Sequence, residues 1–154
     1  MTQVISPSSG SDPDTPARPV EQALSAVQRR VSGCRVVAYC DLEASLVLRH
    51  VASPAVRQEL LDQLSADAHA AFALRATALA CCPPGFGGGA DDGPDVEQVR
   101  LIDDRGVRLF LRSPQAPQDA LLLLCDTVQT ADRVLPEAQA LLLAVLSDPG
   151  MGTI

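Results

Sequence analysis

"CRVVAYCDLEASLVLRHV", residues 34–51, decides how this chain folds. Two runs rich in valine, leucine and other apolar residues stand on either side of a short polar segment. β-Branched and aromatic side chains favour strands, and a short polar segment between two such runs favours a hairpin. The sequence therefore predicts strands at 34–40 and 45–51, with residues 41–44 turning the chain between them.

An amphipathic helix is predicted directly before this hairpin, starting at Pro19. Its apolar residues recur at the spacing of one helical face; they are Val20, Ala23, Leu24, Val27 and Val31. Gly33 stands where the C-cap of a helix favours glycine. Residues 1–18 are rich in proline, serine and aspartate and have no periodic apolar pattern, so we expect them to be a disordered tail.

A second and longer helix is predicted after the hairpin, over about 54–80, with Ser53 as N-cap and Pro54 in the first turn. The stripe expected to face the core comprises Val56, Leu60, Leu64, Ala71 and Leu74, widened by Leu61, Ala68, Phe72 and Leu79. Small residues recur on the other side: Ala66, Ala70, Ala73, Thr77 and Ala80. They permit another helix to approach closely, although alanine is also simply a good helix former.

Three strands and a last helix are predicted in the second half. Residues 96–102 and 107–112 flank "DDRG" as a second hairpin. "DALLLLCDTV", from residue 119, is apolar without alternation, as expected of a central strand covered on both faces. The last helix is expected to begin near Asp132, because Pro136 is tolerated only in a first turn.

The order α-ββ-α-βββ-α predicts an α+β, profilin-like sandwich, in which helices enclose a five-stranded antiparallel sheet. One domain is expected over residues 19–147, followed by a short C-terminal tail at 148–154.

Composition excludes several classes of function. The net charge of −7 repels phosphates, which argues against a nucleic-acid binder. All 12 basic residues are arginine, so no mechanism here can use a lysine. The five cysteines form no disulfide framework, and the sequence has no signal peptide and no apolar run of membrane-spanning length. These features predict a cytoplasmic protein without membrane insertion.

The glycine-rich stretch "CCPPGFGGGADDGPD", residues 81–95, formally matches a dinucleotide-binding pattern. That pattern binds pyrophosphate between a strand and a following helix, whereas here a helix precedes it and a strand follows. Adjacent cysteines lack the spacing of a zinc site, and the carboxylates do not match a calcium loop. We expect a connecting loop that holds no metal and no cofactor.

The remaining reactive side chains favour structural roles. Asp41 and Glu43 are expected in a solvated turn, and His69 on the helix surface. Cys34 and Cys40 lie six residues apart on one strand, so we expect them on the same face, as small core residues or, as a third hypothesis, as a redox pair. Without a nucleophile elbow or an H-E-x-x-H motif, the chain is not expected to be an enzyme.

"VSGCRVVAYCDLEASLVL" and "DALLLLCDTVQTADRVLPEAQALLLAVL" resemble the roadblock (dynein light-chain) family of bacterial type, over about residues 20–146. Asp41 and Glu43 fit the family's D-x-[DE]-G turn, where Ala44 replaces the usual glycine. The glycine often found at the start of the family's last helix is missing.

The resemblance implies a homodimer in which the third strand pairs with its twin and the long second helices lie side by side. It also implies a platform that binds motor chains, builds scaffolds or, in bacteria, binds Ras-like small GTPases and sometimes stimulates hydrolysis. Polar residues in the third strand independently favour an edge position. The candidate dimer and partner contacts are Ala66, Ala70, Ala73, Thr77, Glu97, Gln98, Arg100, Arg57 and Arg75.

The first hypothesis is therefore a non-enzymatic homodimeric regulator or scaffold that binds a Ras-like small GTPase or another protein. The alternative is a small-molecule sensor of similar α+β shape, which needs a lined pocket with convergent polar groups.

Overall fold

Three helices cover the two faces of one antiparallel sheet. The computed structural model describes residues 17–83 and 96–147. Its elements are α1 (Ala17–Arg30), β1 (Cys34–Asp41), β2 (Leu46–Ala52), α2 (Gln58–Cys81), β3 (Glu97–Asp103), β4 (Gly106–Ser113), β5 (Ala116–Cys125) and α3 (Val128–Ser147). The strand order is β2-β1-β5-β4-β3, and every neighbouring pair is antiparallel. The predicted fold class and element order are confirmed.

Parts of the predicted organisation lie outside the described residues. The glycine-rich loop from residue 84 to 95 and the tail at 148–154 are among them, as are residues 1–16 of the predicted N-terminal tail. Helix α1 begins at Ala17, two residues before the predicted start at Pro19.

Two apolar layers hold the sheet between its helices. Helices α1 and α3 pack on one face, where Leu121 and Leu123 of β5 point. Helix α2 packs on the other face, where Leu122 and Leu124 point. Strand β5 lies in the middle of the sheet and is buried from Ala120 onward. The prediction of a central strand covered on both faces is confirmed.

The turn of the first hairpin is organised by the side chain of Asp41. The Asp41 carboxylate accepts hydrogen bonds from the backbone N–H groups of Glu43, at 2.9 Å, and Ala44, at 3.0 Å. Ser45 adopts a left-handed backbone with φ of 50° and leads into β2. Asp41 and Glu43 thus lie in a turn, as expected, and the carboxylate of Asp41 builds that turn.

Helix α2 begins later than predicted. Its first residue is Gln58, and the N-cap residue Arg57 makes no side-chain capping bond. Ser53 is not the N-cap, because it lies five residues before Gln58. Its N–H donates to the Arg35 carbonyl of β1 at 2.9 Å, next to the pairing of β1 with β2. The Ser53 carbonyl then accepts from Val56 at 3.0 Å. The chain needs this extra turn to travel from the sheet to the helix.

Helix α3 begins earlier than predicted, at Val128, so Pro136 lies inside it. Pro136 is exposed, so water can satisfy the carbonyl that the proline leaves without a donor. The start signal that was missed is Thr127. Its hydroxyl oxygen accepts from the Thr130 N–H at 3.1 Å, in the manner of an N-cap.

Thr127→Ala is expected to lower the free energy of unfolding by about 1 kcal/mol, because the first turn of α3 loses its cap. Thr127→Ser keeps the hydroxyl and is the matched control, expected within a few tenths of a kcal/mol of wild type. Urea unfolding at one fixed protein concentration measures both variants. An alanine variant as stable as the serine variant would contradict this role of Thr127.

The two cysteines of β1 face opposite sides of the sheet, contrary to the prediction. Cys34 lies in the layer under α1 and α3, and Cys40 lies in the layer under α2. The pairing of β1 with β5 shifts register between Cys34 and Val36. Such an irregularity reverses the alternation of side chains, so two residues six apart no longer share a face.

Candidate interaction surface

The C-terminal half of α2 is largely uncovered. The helix buries Leu61, Leu64, Ser65, Ala68, Ala71 and Phe72, and no residue after Phe72 is buried. Leu74 is 69% exposed and Leu79 is 44% exposed. The prediction that these two leucines face the core is wrong, because every residue of the helix from 73 to 81 is exposed except the half-buried Arg75.

Strand β3 forms one edge of the sheet, as its polar residues predicted. It pairs with β4 along its whole length, and its other edge has no partner among the described residues. Ile102 on this strand is 62% exposed, and Gln98 is exposed as well. A strand with a free edge and an exposed apolar side chain is available for pairing with another chain.

An open cleft of about 440 Å³ joins the uncovered half of α2 to β3. Its lining residues are Ala71, Leu74, Arg75, Ala78, Gln98, Val99, Arg100 and Leu101. The cleft, the exposed leucines of α2 and the free edge of β3 are together called the α2–β3 surface below. This surface combines exposed apolar side chains with unused backbone hydrogen-bonding groups.

Charged side chains fix the shape of this surface. Glu97 accepts a hydrogen bond from Arg112 at 2.5 Å, and the guanidinium of Arg112 lies 4.3 Å above the ring centre of Phe72. This contact ties β3 and β4 to α2. Arg100 donates to Asp132 of α3 at 2.6 Å. The first contact holds β3 beside α2, and the second holds it beside α3.

Arg75 is the exception in this network. Its Nη1 atom lies 3.9 Å from the Glu97 carboxylate, which is too far for a hydrogen bond. The same atom is buried and has no other hydrogen-bond partner among the described residues. A buried guanidinium donor without an acceptor is costly. The α2–β3 surface therefore contains an unsatisfied donor beside its apolar cleft.

The structure brings only some of the predicted contact residues together. Arg75, Glu97, Gln98 and Arg100 lie at the α2–β3 surface. The small residues Ala66, Ala70, Ala73 and Thr77 are exposed along α2. Arg57 is the N-cap residue at the other end of the helix, about 27 Å from Arg75 at 1.5 Å per residue.

Sequence reasoning missed Leu74 and Ile102 as surface residues. Leu74 has the spacing of the buried stripe of α2, and Ile102 has the character of an ordinary strand residue. Periodicity identifies the apolar face of a helix or strand but does not show how far along that face the rest of the protein covers it.

A second cleft, of about 410 Å³, bears on the sensor alternative. Its polar groups include His69 and Arg112. His69 lies on the helix surface as expected, with Nδ1 3.0 Å from the Leu42 carbonyl oxygen, and Arg112 is bound to Glu97. His69 and Arg112 are thus engaged within the protein, and the other polar residues of the lining are Glu43 and Gln118.

Two further properties constrain the chemistry. Among the described residues no three His, Cys, Asp or Glu side chains cluster as a metal site would require. None of the helices in the same part of the chain is long and apolar enough to cross a membrane.

The described residues form an α+β sandwich in which a half-covered helix lies beside a free strand edge. No model of a protein family matches the sequence, and no curated protein matches it either. Solved structures do match. A Roadblock/LC7 domain from Streptomyces avermitilis superposes with a TM-score of 0.60 and 21% identity, over 82% of this chain and 94% of that one.

Two structures of the protein MglB are similar as well. MglB with a tetrameric arrangement gives a TM-score of 0.58 and 18% identity, over 86% of this chain and 92% of that one. The gliding protein MglB from Thermus thermophilus gives 0.57 and 16%, over 85% and 90%. The chain therefore has the roadblock/LC7 fold. The resemblance seen in the sequence is confirmed at the level of the fold.

Proposed function

We propose that this chain is a non-enzymatic, homodimeric regulator or scaffold of bacterial roadblock type, and that its partner is a Ras-like small GTPase. The observation that carries the proposal is the α2–β3 surface, where Leu74 is exposed beside the free edge of β3, while Ile102 is exposed on the opposite face of the same edge strand. The roadblock resemblance in the sequence supports the choice of partner.

A second copy of the chain fits the α2–β3 surface. Two antiparallel β3 strands related by a two-fold axis present the same edge to each other, which a symmetric dimer requires. Pairing them extends two five-stranded sheets into one and removes Leu74 and Ile102 from water. Each square ångström of apolar surface buried in this way contributes about 25 cal/mol.

The same dimer places the two α2 helices next to each other as a platform for the GTPase. Small residues are exposed in a row along α2, from Ala66 to Thr77. Their short side chains allow another protein to pack closely against the helix. In this proposal the GTPase supplies the nucleotide and the reacting groups, and the roadblock dimer positions them. Arg57 and Arg75 are the candidate contacts with the GTPase or the second copy.

Ala70→Arg tests the partner surface. A long charged side chain in the middle of the row is expected to weaken binding of the GTPase by about tenfold or more, because it prevents close approach at the centre of the interface. Ala140→Arg makes the same change at an exposed position of α3 and is the matched control, expected to bind as wild type does.

The measurement is affinity capture from a lysate of the source organism, with a GTP analogue or with GDP, followed by identification of the bound proteins by mass. Nucleotide-dependent capture of a small GTPase by wild type and Ala140→Arg, and not by Ala70→Arg, supports the proposal. Capture of other proteins alone retains a scaffold and rejects the GTPase. An empty column under both conditions favours the sensor alternative.

A further inference from the structure

Two buried cysteines face each other across neighbouring strands. Cys34 begins β1 and Cys125 ends β5, and the two residues are directly paired in the antiparallel ladder. Both side chains belong to the layer under α1 and α3. The register shift that turns Cys34 away from the face of Cys40 thus turns it toward the face of Cys125.

Backbone hydrogen bonding defines the geometry of this pair. The N–H of Asp126 donates to the carbonyl of Gly33 at 2.9 Å. This bond joins the residue after Cys125 to the residue before Cys34, which is the pattern that flanks a non-hydrogen-bonded pair. In such a pair the two Cα atoms lie about 4.5 Å apart and the side chains approach each other closely. A disulfide requires a Cα separation of about 4.4–6.8 Å.

The two thiols of the pair differ in their position relative to solvent and in the direction of their pKa shifts. Cys34 lines an open cleft between the end of α1 and the residues after β2, whereas Cys125 is fully buried behind it. The hydrogen bond between the two thiols lowers the pKa of Cys34 and is its largest influence, although burial and Asp126 act in the opposite direction. The same hydrogen bond, together with burial, raises the pKa of Cys125.

We propose that Cys34 and Cys125 form an oxidisable dithiol that closes into a disulfide when the protein meets a peroxide. The Cys34 thiolate attacks one peroxide oxygen and the O–O bond breaks; the departing hydroxide takes up the proton that the Cys34 thiol released on ionising, so a sulfenic acid and one water form. The Cys125 sulfur then displaces hydroxide from that sulfenic acid, its proton leaves with the hydroxide as a second water, and the S–S bond forms. Two thiols are oxidised and one peroxide is reduced to two waters.

Cys40 provides an internal control. It lies on the other face of β1, where its sulfur is 3.5 Å from the Ser65 hydroxyl. Burial raises the pKa of Cys40, and the chain places no cysteine opposite it, since its ladder partners are Val47 and Ala120. It should therefore remain a free thiol under conditions in which Cys34 reacts.

Peptide mapping tests the proposal. Cys81 and Cys82 are exposed, so both are first replaced by serine to remove competing thiols. The folded protein is treated with hydrogen peroxide, denatured, alkylated with iodoacetamide and digested with trypsin. Cleavage at arginine puts Cys34, Cys40 and Cys125 into separate peptides, residues 31–35, 36–49 and 113–133.

The proposal predicts that peptides 31–35 and 113–133 become joined, with the loss of two hydrogens, while the Cys40 peptide remains alkylated. Cys125→Ser should abolish the joined species, and Cys40→Ser should leave its yield unchanged. Separate, alkylated Cys34 and Cys125 peptides at peroxide doses that oxidise Cys40 would overturn it, and so would a link between Cys34 and Cys40. The map of the protein with all three buried cysteines decides the matter even if a serine variant does not fold.

Discussion

Replacing Phe110 with alanine is expected to lower the free energy of unfolding by about 3–5 kcal/mol. Phe110 lies in β4 and is completely buried in the layer under α2. Its neighbours in the sheet are Val99 of β3 and Leu122 of β5. Truncation removes the ring from the layer that attaches α2 and leaves a cavity that the surrounding strands can only partly close.

Phe110→Leu is the matched control for this variant. It retains most of the apolar volume and is expected to cost about 1–2 kcal/mol. Urea unfolding measures both variants at one protein concentration, because the stability of a dimer depends on concentration. A loss below about 1 kcal/mol for the alanine variant would show that Phe110 does not fill the core of the folded protein.

The double variant Leu74→Glu/Ile102→Glu is expected to convert the proposed dimer into a monomer that remains folded. Both side chains are mostly exposed in the single chain, so the substitutions remove no core packing. In the proposed dimer each subunit contributes one glutamate on the α2 side and one on the opposite side of the joined sheet, where burial without a partner and repulsion between like charges both oppose association.

Leu46→Glu is the matched control, because it replaces an exposed leucine on the edge of the sheet opposite β3. Leu46 is 55% exposed on β2, the strand at the other end of the sheet. Sedimentation velocity should give a dimer for wild type and for Leu46→Glu, and a monomer for the double variant. Dissociation of Leu46→Glu with a dimeric double variant would place the interface on β2.

Two of the hairpins, β1–β2 and β3–β4, could be predicted from the sequence because their signals are local. The turn after β1 depends on Asp41, which binds the backbone two and three residues ahead of it. Between β3 and β4, the Asp103 carboxylate accepts from the Arg105 N–H at 2.8 Å in the same way. A carboxylate that accepts hydrogen bonds from backbone N–H groups two or three residues ahead forms a local interaction. Such an interaction favours the same turn in a short peptide and in the folded protein.

The starts of α2 and α3 could not be predicted as well, because they depend on the sheet. Ser53 would be a good N-cap in isolation, but its N–H donates to Arg35 on β1 and its carbonyl accepts from Val56 in a separate turn, so the helix begins only at Gln58. Pro136 would end an isolated helix, but α3 continues through it because the helix packs on the sheet on both sides of the proline: Ala131, Val134, Ala138 and Leu141 are buried. Tertiary packing outweighs the local preference in both cases.

The two surfaces used in the proposals depend on contacts between distant residues. The α2–β3 surface exists because α2 continues beyond the residues that cover it, which the pattern of Leu74 does not reveal. The Cys34–Cys125 pair exists because a register shift reverses one side chain. The sequence showed both cysteines and correctly favoured an edge position for β3, but a pairing across 91 positions of the chain requires the sheet itself.

Amide hydrogen exchange along β3 tests the central claim most directly. Alternate N–H groups between Glu97 and Asp103 point toward β4, and the others point away from the sheet. If β3 pairs with its twin, the outward amides of the wild-type protein exchange slowly, and they become fast in Leu74→Glu/Ile102→Glu while the inward amides stay protected. Outward amides that exchange as fast in wild type as in that variant would contradict a dimer built on the edge of β3.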